Sequence, residues 1–310
     1  MAVNMKGKSF LSINDLTIEE VYQVFDLART LKEKHYTGEE HHLLKGKTLG
    51  MIFSKPSTRT RISFETGIYH LGGIGMYFGP NDLQLNRGET IHDTAKVLSR
   101  YLDGIMIRTF KHEDVEGLAK YGSIPVINGL TDLLHPCQAM TDLFTILEKR
   151  RTLRGLKLAF IGDGNNVAHS LLNGCSKVGM DITVASPKGY EPLGWIVEDA
   201  RKNAAYMGSK VEIINDPVEA CKGADIIYTD VWASMGQEKE AAEKNARFAG
   251  FQVNAKLVAN AKDDYLFMHC LPAHREEEVT NEVVDSANSV VFDEAENRLH
   301  VQKAIMALVM

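Results

Sequence analysis

The sequence contains no CxxC pair. Its four cysteines (Cys137, Cys175, Cys221 and Cys270) are scattered along 310 residues. That distribution predicts reduced thiols in a cytoplasmic protein, not a disulfide framework or a zinc site. No stretch approaches about 18 consecutive apolar residues, and the C-terminal AIMALVM is too short to cross a membrane. Met1 to Phe10 lacks an apolar segment, so no signal peptide is expected. An excess of positive charge is also missing. The net charge of −6 argues against a general nucleic-acid binder, which needs a strong basic face, but leaves room for a small local anion site. There is no GxxxxGK[ST] loop, so a nucleoside triphosphate is disfavoured. Internal repeats, low-complexity segments and metal-ligating clusters are lacking too, and neither a metal nor a cofactor is expected.

What is present is an alternation of strand-like and helix-like runs. Thr17 and Glu20 form a T-x-x-E capping box that opens a helix to about Lys34, with Ile18, Val21, Phe25, Ala28 and Leu31 at helical spacing. Strand 48–53, helix 57–70, strand 74–78, helix 90–101, strand 104–108, helix 112–121 and strand 124–128 follow, then a long helix from Pro136 to about Arg150. A second series comprises strand 156–161, helix 166–178, strand 181–185, helix 195–207, strand 210–214, helix 217–222 and strands 225–229 and 265–268. A short strand over 289–292 then leads into a last helix. The segment from Trp232 to Gly250 reads as a loop plus an exposed helix. Repeated βα alternation predicts an α/β fold, with two doubly wound parallel-sheet domains divided near residues 135–150. A chain of this length suits roughly two domains.

The stretch SKPSTRTRISFETG, Ser54 to Gly67, gathers hydroxyls and two arginines at one strand-to-helix junction. Pro56 ends the strand and Ser57 is a good N-cap. The free N–H groups of the first turn, with the hydroxyls of Ser57, Thr58 and Thr60, form a cradle for an anion. Arg59 adds a fork-shaped donor suited to phosphate. A merely capped helix with solvated or paired arginines, such as Arg61 with Glu65 at i,i+4, is the plainer reading. The density of donors and the lack of an acid in the first turn favour phosphate.

Ligands of open α/β sheets bind at the carboxyl ends of the strands. Arg108, the HPCQ run His135 to Gln138, the GDGNN run Gly162 to Asn166, Asp230, and the HCLP run His269 to Pro272 all stand at such ends. Any one of them is explained by capping or turn formation. Together they predict one cleft served by both domains. GDGNNV begins like a dinucleotide fingerprint, but Val167 replaces the third glycine. Ser186 also stands where an acid would bind the ribose, which disfavours NAD.

STRTRISFE, HPCQAMTDL, DVWASMG and HCLPAH, in this order, resemble the ornithine-specific members of the aspartate/ornithine carbamoyltransferase family over essentially the whole chain. The resemblance implies a carbamoyl-phosphate-binding domain over 1–134, an interdomain helix over 135–150, an ornithine-binding domain over 151–292 and a final helix over 293–310 returning to the first domain. It also implies a homotrimer with sites near subunit interfaces. By motif, carbamoyl phosphate would be bound by Ser57, Thr58, Arg59, Thr60, Arg108, His135, Pro136, Cys137, Gln138, Cys270, Leu271 and Arg298, with Gln84 supplied by a neighbouring subunit. Asn166, Asp230, Ser234 and Met235 would bind ornithine. The catalytic set would be Arg59, Arg108, His135, Gln138, Asp230 and Cys270. Aspartate transferases carry a proline-arginine motif where this chain has HCLPAH, and putrescine and N-acetylornithine relatives lack a full DxxxSMG. The residue types suit direct attack of an amine on the carbamoyl carbon, with no covalent enzyme intermediate. An alkyl amine has a pKa near ~10.4, so only about one molecule in a thousand is neutral at pH 7. The site must therefore select or stabilise that form. Loss of a phosphate arginine or of HCLP would mark a non-catalytic relative, and both are intact here.

Overall fold

The computed structural model describes residues 2–233 and 241–310. The chain divides into two compact units, Met1–Phe144 with Glu296–Met310, and Thr145–Ala295. It passes between them within two helices, α5 (Pro136–Arg150) and α12 (Val291–Val309). No helix among the described residues is long and apolar enough to cross a membrane.

The first unit opens with α1 (Ile18–Thr37). Its N-cap Thr17 accepts from Glu20 N while the Glu20 side chain accepts from Thr17 N, the capping box read in the sequence. β1 (Thr48–Phe53), α2 (Thr58–His70), β2 (Ile74–Phe78), α3 (Ile91–Leu98), β3 (Gly104–Arg108), α4 (His112–Tyr121) and β4 (Val126–Leu130) follow. The strands are parallel in the order β2-β1-β3-β4. Strand order therefore reverses between β1 and β3, and their last residues, Phe53 and Arg108, lie side by side in register. Both strands are apolar along almost their whole length, as expected of parallel strands buried on both faces.

The second unit contains β5 (Lys157–Ile161), α6 (Asn166–Val178), β6 (Asp181–Ala185), α7 (Gly194–Met207), β7 (Val211–Ile214), α8 (Pro217–Cys221) and β8 (Ile226–Thr229). Next come α9 (Ala241–Phe248), α10 (Ala255–Val258), β9 (Leu266–Met268) and α11 (Asn281–Val284). This sheet is also parallel, in the order β7-β6-β5-β8-β9, so its reversal falls between β5 and β8.

Three sequence expectations change. The strand read at 124–128 is shifted to Val126–Leu130, because Phe10 pairs with Ile127 and Pro125 lacks the N–H a ladder needs. The strand read at 289–292 reduces to one bridge, Ser289 to Phe267; Val291 and Phe292 already belong to α12. The helix expected to be exposed after Trp232 is amphipathic, with Lys244 and Phe248 buried and Glu243 and Arg247 exposed.

α2 and α12 pack very closely. A Cβ on Gly67 would lie 2.9 Å from Met306 Cε and 3.3 Å from Lys303 Cγ. Behind this contact the first unit buries Lys303, His300 and His41, beside His70 and His35. Lys303 Nζ approaches His41 Nε2 at 3.1 Å. His41 Nδ1 donates to Glu39 O at 2.9 Å, so the ring is neutral and its Nε2 accepts from the ammonium. Burial, then the charge of Lys303, pushes His300 down to about 3, and His41 and His70 are lowered chiefly by burial.

These imidazoles charge readily when unfolded and reluctantly when folded. The unfolded chain therefore binds more protons between the ordinary histidine range near ~6.5 and the depressed folded values, and stability falls as pH falls through that window. We predict that the urea midpoint of the first unit declines steadily from pH 7 to pH 4, and that His300→Phe flattens the decline. A midpoint independent of pH across this range would contradict it.

Candidate active site

At the junction of β1 and α2, Ser57 is extended and its Oγ accepts from Thr60 N at 3.3 Å, which starts α2 as a capped N-terminus. The first turn carries no acid, so the partial positive charge of the helix end is not cancelled locally. Ser54 N donates to Arg108 O at 2.8 Å, tying this turn across the strand-order reversal to the end of β3.

His135, the residue before α5, feels the positive charge of three guanidinium groups. The imidazole is buried, and burial, followed by the charges of Arg298, Arg108 and Arg59, pushes its pKa well below the usual histidine range. His135 is therefore a neutral hydrogen-bonding group among cations. Arg298 is itself held rigidly. Its Nη1 donates to Gln138 Oε1 at 2.6 Å and its Nη2 to Thr60 Oγ1 at 3.2 Å. With the Gln302 amide assigned so that its oxygen faces Arg298, that oxygen accepts from Nε and Nη2 at 2.9 Å, and its nitrogen donates to Ser63 Oγ at 2.5 Å. Gln138 in turn donates to Asp142 Oδ1 at 2.8 Å. A buried cation needs such a surround, since desolvation otherwise disfavours it by several kcal/mol.

The remaining sequence candidates of this unit are placed differently. Pro136 begins α5. The Cys137 thiol donates to Asn128 O at 3.3 Å, and burial pushes it up to about 12, so its side chain serves packing. Thr58 is exposed at the first turn, and Gln84 is exposed on a 3-10 turn, Gln84–Arg87. Sequence reasoning missed Lys55. It is buried, ion-paired with Asp132, and 4.3 Å from the centroid of the Phe110 ring.

In the second unit the reversal between β5 and β8 carries a different chemistry. Asn165 caps α6, its Oδ1 accepting from Val167 N at 3.0 Å and Ala168 N at 3.2 Å. Its Nδ2 donates to Asp230 Oδ2 at 2.8 Å. The other oxygen of Asp230 accepts from Val231 N at 2.8 Å and from Cys270 Sγ at 3.1 Å. Asn166, the first residue of α6, is half-buried beside this group. Cys270 stands on a stiff loop. Leu271 has φ of 54°, a left-handed conformation unfavourable for a branched residue, and its N–H donates to His269 Nδ1 at 2.9 Å. His269 Nε2 faces Glu278 Oε1 at 3.2 Å, and His269 N donates to Glu294 Oε2 at 3.1 Å. Both ring nitrogens are thereby engaged. Although Asp230, His269 and Cys270 bring donor atoms within 4.8 Å of one another, a metal there would have to displace one of those hydrogen bonds. Ser234 and Met235 lie outside the described residues. The sequence places Asn165 inside the GDGNN run without a separate role, although it carries a local signal as the N-cap of α6; Glu278 and Glu294 fall outside every run singled out in the sequence.

A cluster of cationic groups at a helix N-terminus suits a multiply charged anion, and a carboxylate backed by an amide and a thiol suits an ammonium group. These are two parallel α/β units, each with polar groups at its own strand-order reversal. Residues 8–148 match the family model described as the carbamoyl-P binding domain of aspartate/ornithine carbamoyltransferase, and residues 154–309 match the model of its Asp/Orn binding domain. The chain belongs to the aspartate/ornithine carbamoyltransferase family. It is 60% identical over 310 residues to the ornithine carbamoyltransferase of Thermococcus kodakarensis, covering 100% of this chain and 98% of that one. The solved ornithine carbamoyltransferase from Pyrococcus furiosus is 57% identical with a TM-score of 0.97, covering 100% of this chain and 99% of that one. The Gloeobacter violaceus structure is 45% identical with a TM-score of 0.89, covering 99% and 100%.

The cap makes a direct prediction. Asn165→Ala should lose about 0.5–2 kcal/mol of stability, the usual cost of removing an N-cap, whereas Asn165→Ser keeps the acceptor and should lose less. Urea denaturation of the two variants checks this. Equal stability of the alanine variant and the parent would show that the cap contributes nothing.

Proposed function

We propose that the chain transfers the carbamoyl group of carbamoyl phosphate to the side-chain amine of L-ornithine, releasing L-citrulline and phosphate, and that it works in the cytoplasm as a homotrimer. The observation that carries this is the acid-free, Ser57-capped N-terminus of α2 with Arg298 fastened to Thr60 and Gln138 beside it, where the charges of Arg298, Arg108 and Arg59 help keep the buried His135 neutral. In this reading the phosphate sits at the N-terminus of α2, held by Ser57, Thr58, Arg59 and Thr60 and by Arg108. These donors stabilise charge growing on the leaving group, the task for which fixed, pre-oriented donors are most effective. His135, Gln138 and Arg298 orient the carbamoyl group. A neutral imidazole can donate to the carbamoyl oxygen without adding a fourth positive charge. Cys270 and Leu271 border the reacting carbon. Asp230 faces the α-ammonium of ornithine and Asn166 its α-carboxylate. The neutral side-chain amine attacks the carbamoyl carbon, the C–O bond to phosphate breaks, and the departing phosphate takes the proton released by nitrogen.

The homotrimer is supported by where the first unit exposes apolar surface. Ile74 and Met76 on the edge strand β2 are 65% and 44% exposed, and Ile62, Tyr69 and Tyr101 are exposed nearby in the chain. An open, apolar sheet edge is a liability that a partner subunit removes. Gln84 falls in the same stretch of sequence, and we assign it to the neighbour's carbamoyl phosphate site.

The test is citrulline formation and phosphate release with ornithine, aspartate, putrescine and N-acetylornithine as acceptors. Ornithine should be strongly preferred. Asp230→Asn keeps the shape but removes the charge, so ornithine affinity should fall about ten- to a hundred-fold, the equivalent of roughly 1.5–3 kcal/mol for a hydrogen bond to a charged group. Carbamoyl phosphate binding, measured by calorimetry, should not change. Unaltered ornithine affinity in this variant would refute the role given to Asp230. For the assembly, inactive Arg59→Ala and Gln84→Ala subunits should regain activity when mixed, because some sites then contain neither change. No recovery after verified subunit exchange would place each site within one chain.

A further inference from the structure

We infer that Lys244 is a positioning residue for the acceptor half of the reaction: paired with Asp163 inside the second unit, it cancels a carboxylate beside Asp230 and fixes the turn that carries Asn165 and Asn166. The inference rests on the assignment of Asp230 and Asn166 to ornithine made above.

Asp163 stands two residues after Ile161, the last residue of β5, at the strand-order reversal. Lys244 Nζ lies 2.6 Å from Asp163 Oδ2, and the two side chains are only 6% and 15% exposed. Burial pushes the Asp163 carboxyl up, Asp230 adds to that push, and the hydrogen bond and charge of Lys244 oppose it. Two carboxylates thus stand close enough to repel, with one ammonium assigned to the first of them. That leaves Asp230 as the carboxylate to meet the α-ammonium of the acceptor.

The same pair fixes a backbone. Asn165 N donates to Asp163 O at 2.7 Å and Gly164 N to Tyr190 O at 2.8 Å. Gly164 is so tightly enclosed that a Cβ there would lie 2.2 Å from Pro192 N. α9 covers this turn with two residues one helical turn apart. The Lys244 ammonium sits 5.6 Å from the Tyr190 ring centroid, and Phe248 packs at 4.9 Å from Tyr190 and 5.7 Å from Trp232. Trp232 follows Asp230 by two residues. α9 therefore touches both arms of the reversal, the turn after β5 through Lys244 and the chain after β8 through Phe248. Without the ammonium, Asp163 must either take up a proton or compete with Asp230 for the acceptor's cation, and Asn165 loses a fixed neighbour.

The experiment is steady-state kinetics on the full chain with both substrates varied. Lys244→Met keeps the length and the apolar stem but removes the charge. It should raise the KM for ornithine about ten-fold or more and leave the KM for carbamoyl phosphate within about two-fold. Lys244→Arg should restore most of the ornithine KM. The pair Asp163→Asn with Lys244→Met should be less impaired than either single change, because no charge is left buried alone. Where Lys244→Met does not fold, Lys244→Gln and Asp163→Asn serve the same comparison. A wild-type ornithine KM in the neutral variants, an equal rise of both KM values, or no rescue by arginine would overturn the inference. Absence of citrulline from the wild-type enzyme would instead overturn the reaction assigned above, and the inference with it.

Discussion

Both units are organised by one constraint: charge brought out of water must be held by fixed partners. A buried ion in a low-dielectric interior costs several kcal/mol unless its hydrogen-bonding capacity is met. In the first unit Arg298 meets this through Gln138, Thr60 and Gln302, and Gln138 through Asp142. In the second, Asp230 meets it through Asn165, its own following N–H and Cys270. The partners come from distant segments, so the sites exist only when the sheets are formed. The reversals of strand order supply the room, since only there do two neighbouring strand ends diverge into separate loops.

This explains the polar character of α12. A helix ending an α/β chain would ordinarily present an apolar stripe inward. Here Asn297, Arg298, His300, Gln302 and Lys303 are all buried alongside Val301, Ala304 and Ile305. Arg298 and Gln302, one turn apart, face the N-terminal half of α2 through Thr60 and Ser63. Lys303 lies against Gly67 and approaches His41. α12 thus fastens α2 along its length, and the missing side chain of Gly67 lets the two helices approach. The position of the α2 N-terminus, on which the proposed phosphate cradle depends, is thus supported along α2 by a helix that also packs among His300, His41 and His70, whose charged forms burial disfavours.

Much of this was legible in the sequence because it is local. The capping box at Thr17, the N-cap at Ser57, the missing acid in the first turn of α2 and the βα alternation are all written within a few residues. The residues that failed to announce themselves act at long range. Glu278 and Glu294 hold His269 across 9 and 25 positions, and Gln302 reaches Ser63 from the last helix. Nothing in their immediate neighbourhood distinguishes them from solvated residues of an exposed helix. The strand expected at 289–292 failed for a related reason. Two adjacent valines fit a strand or a buried helix equally well, and packing against the core made Val291 helical. Asn165, inside the GDGNN run, carries a local signal as well, since an asparagine immediately before a helical run is a capping signal in its own right.

The placement of Cys270 bears on how the chemistry runs. A thiol near a buried imidazole invites comparison with Cys–His nucleophiles, where the ring takes the thiol proton. Here both ring nitrogens of His269 are engaged elsewhere, Nδ1 by Leu271 N–H and Nε2 by Glu278, while the thiol donates to the Asp230 carboxylate. A thiolate at 3.1 Å from that carboxylate would be repelled by it, so the geometry favours the protonated sulfur as a donor. A group in that role orients its neighbours and does not attack. The carbamoyl carbon is then left to the acceptor amine, in keeping with a one-step transfer whose departing phosphate removes the proton, and the carboxylate that holds the thiol is the one proposed to hold the acceptor.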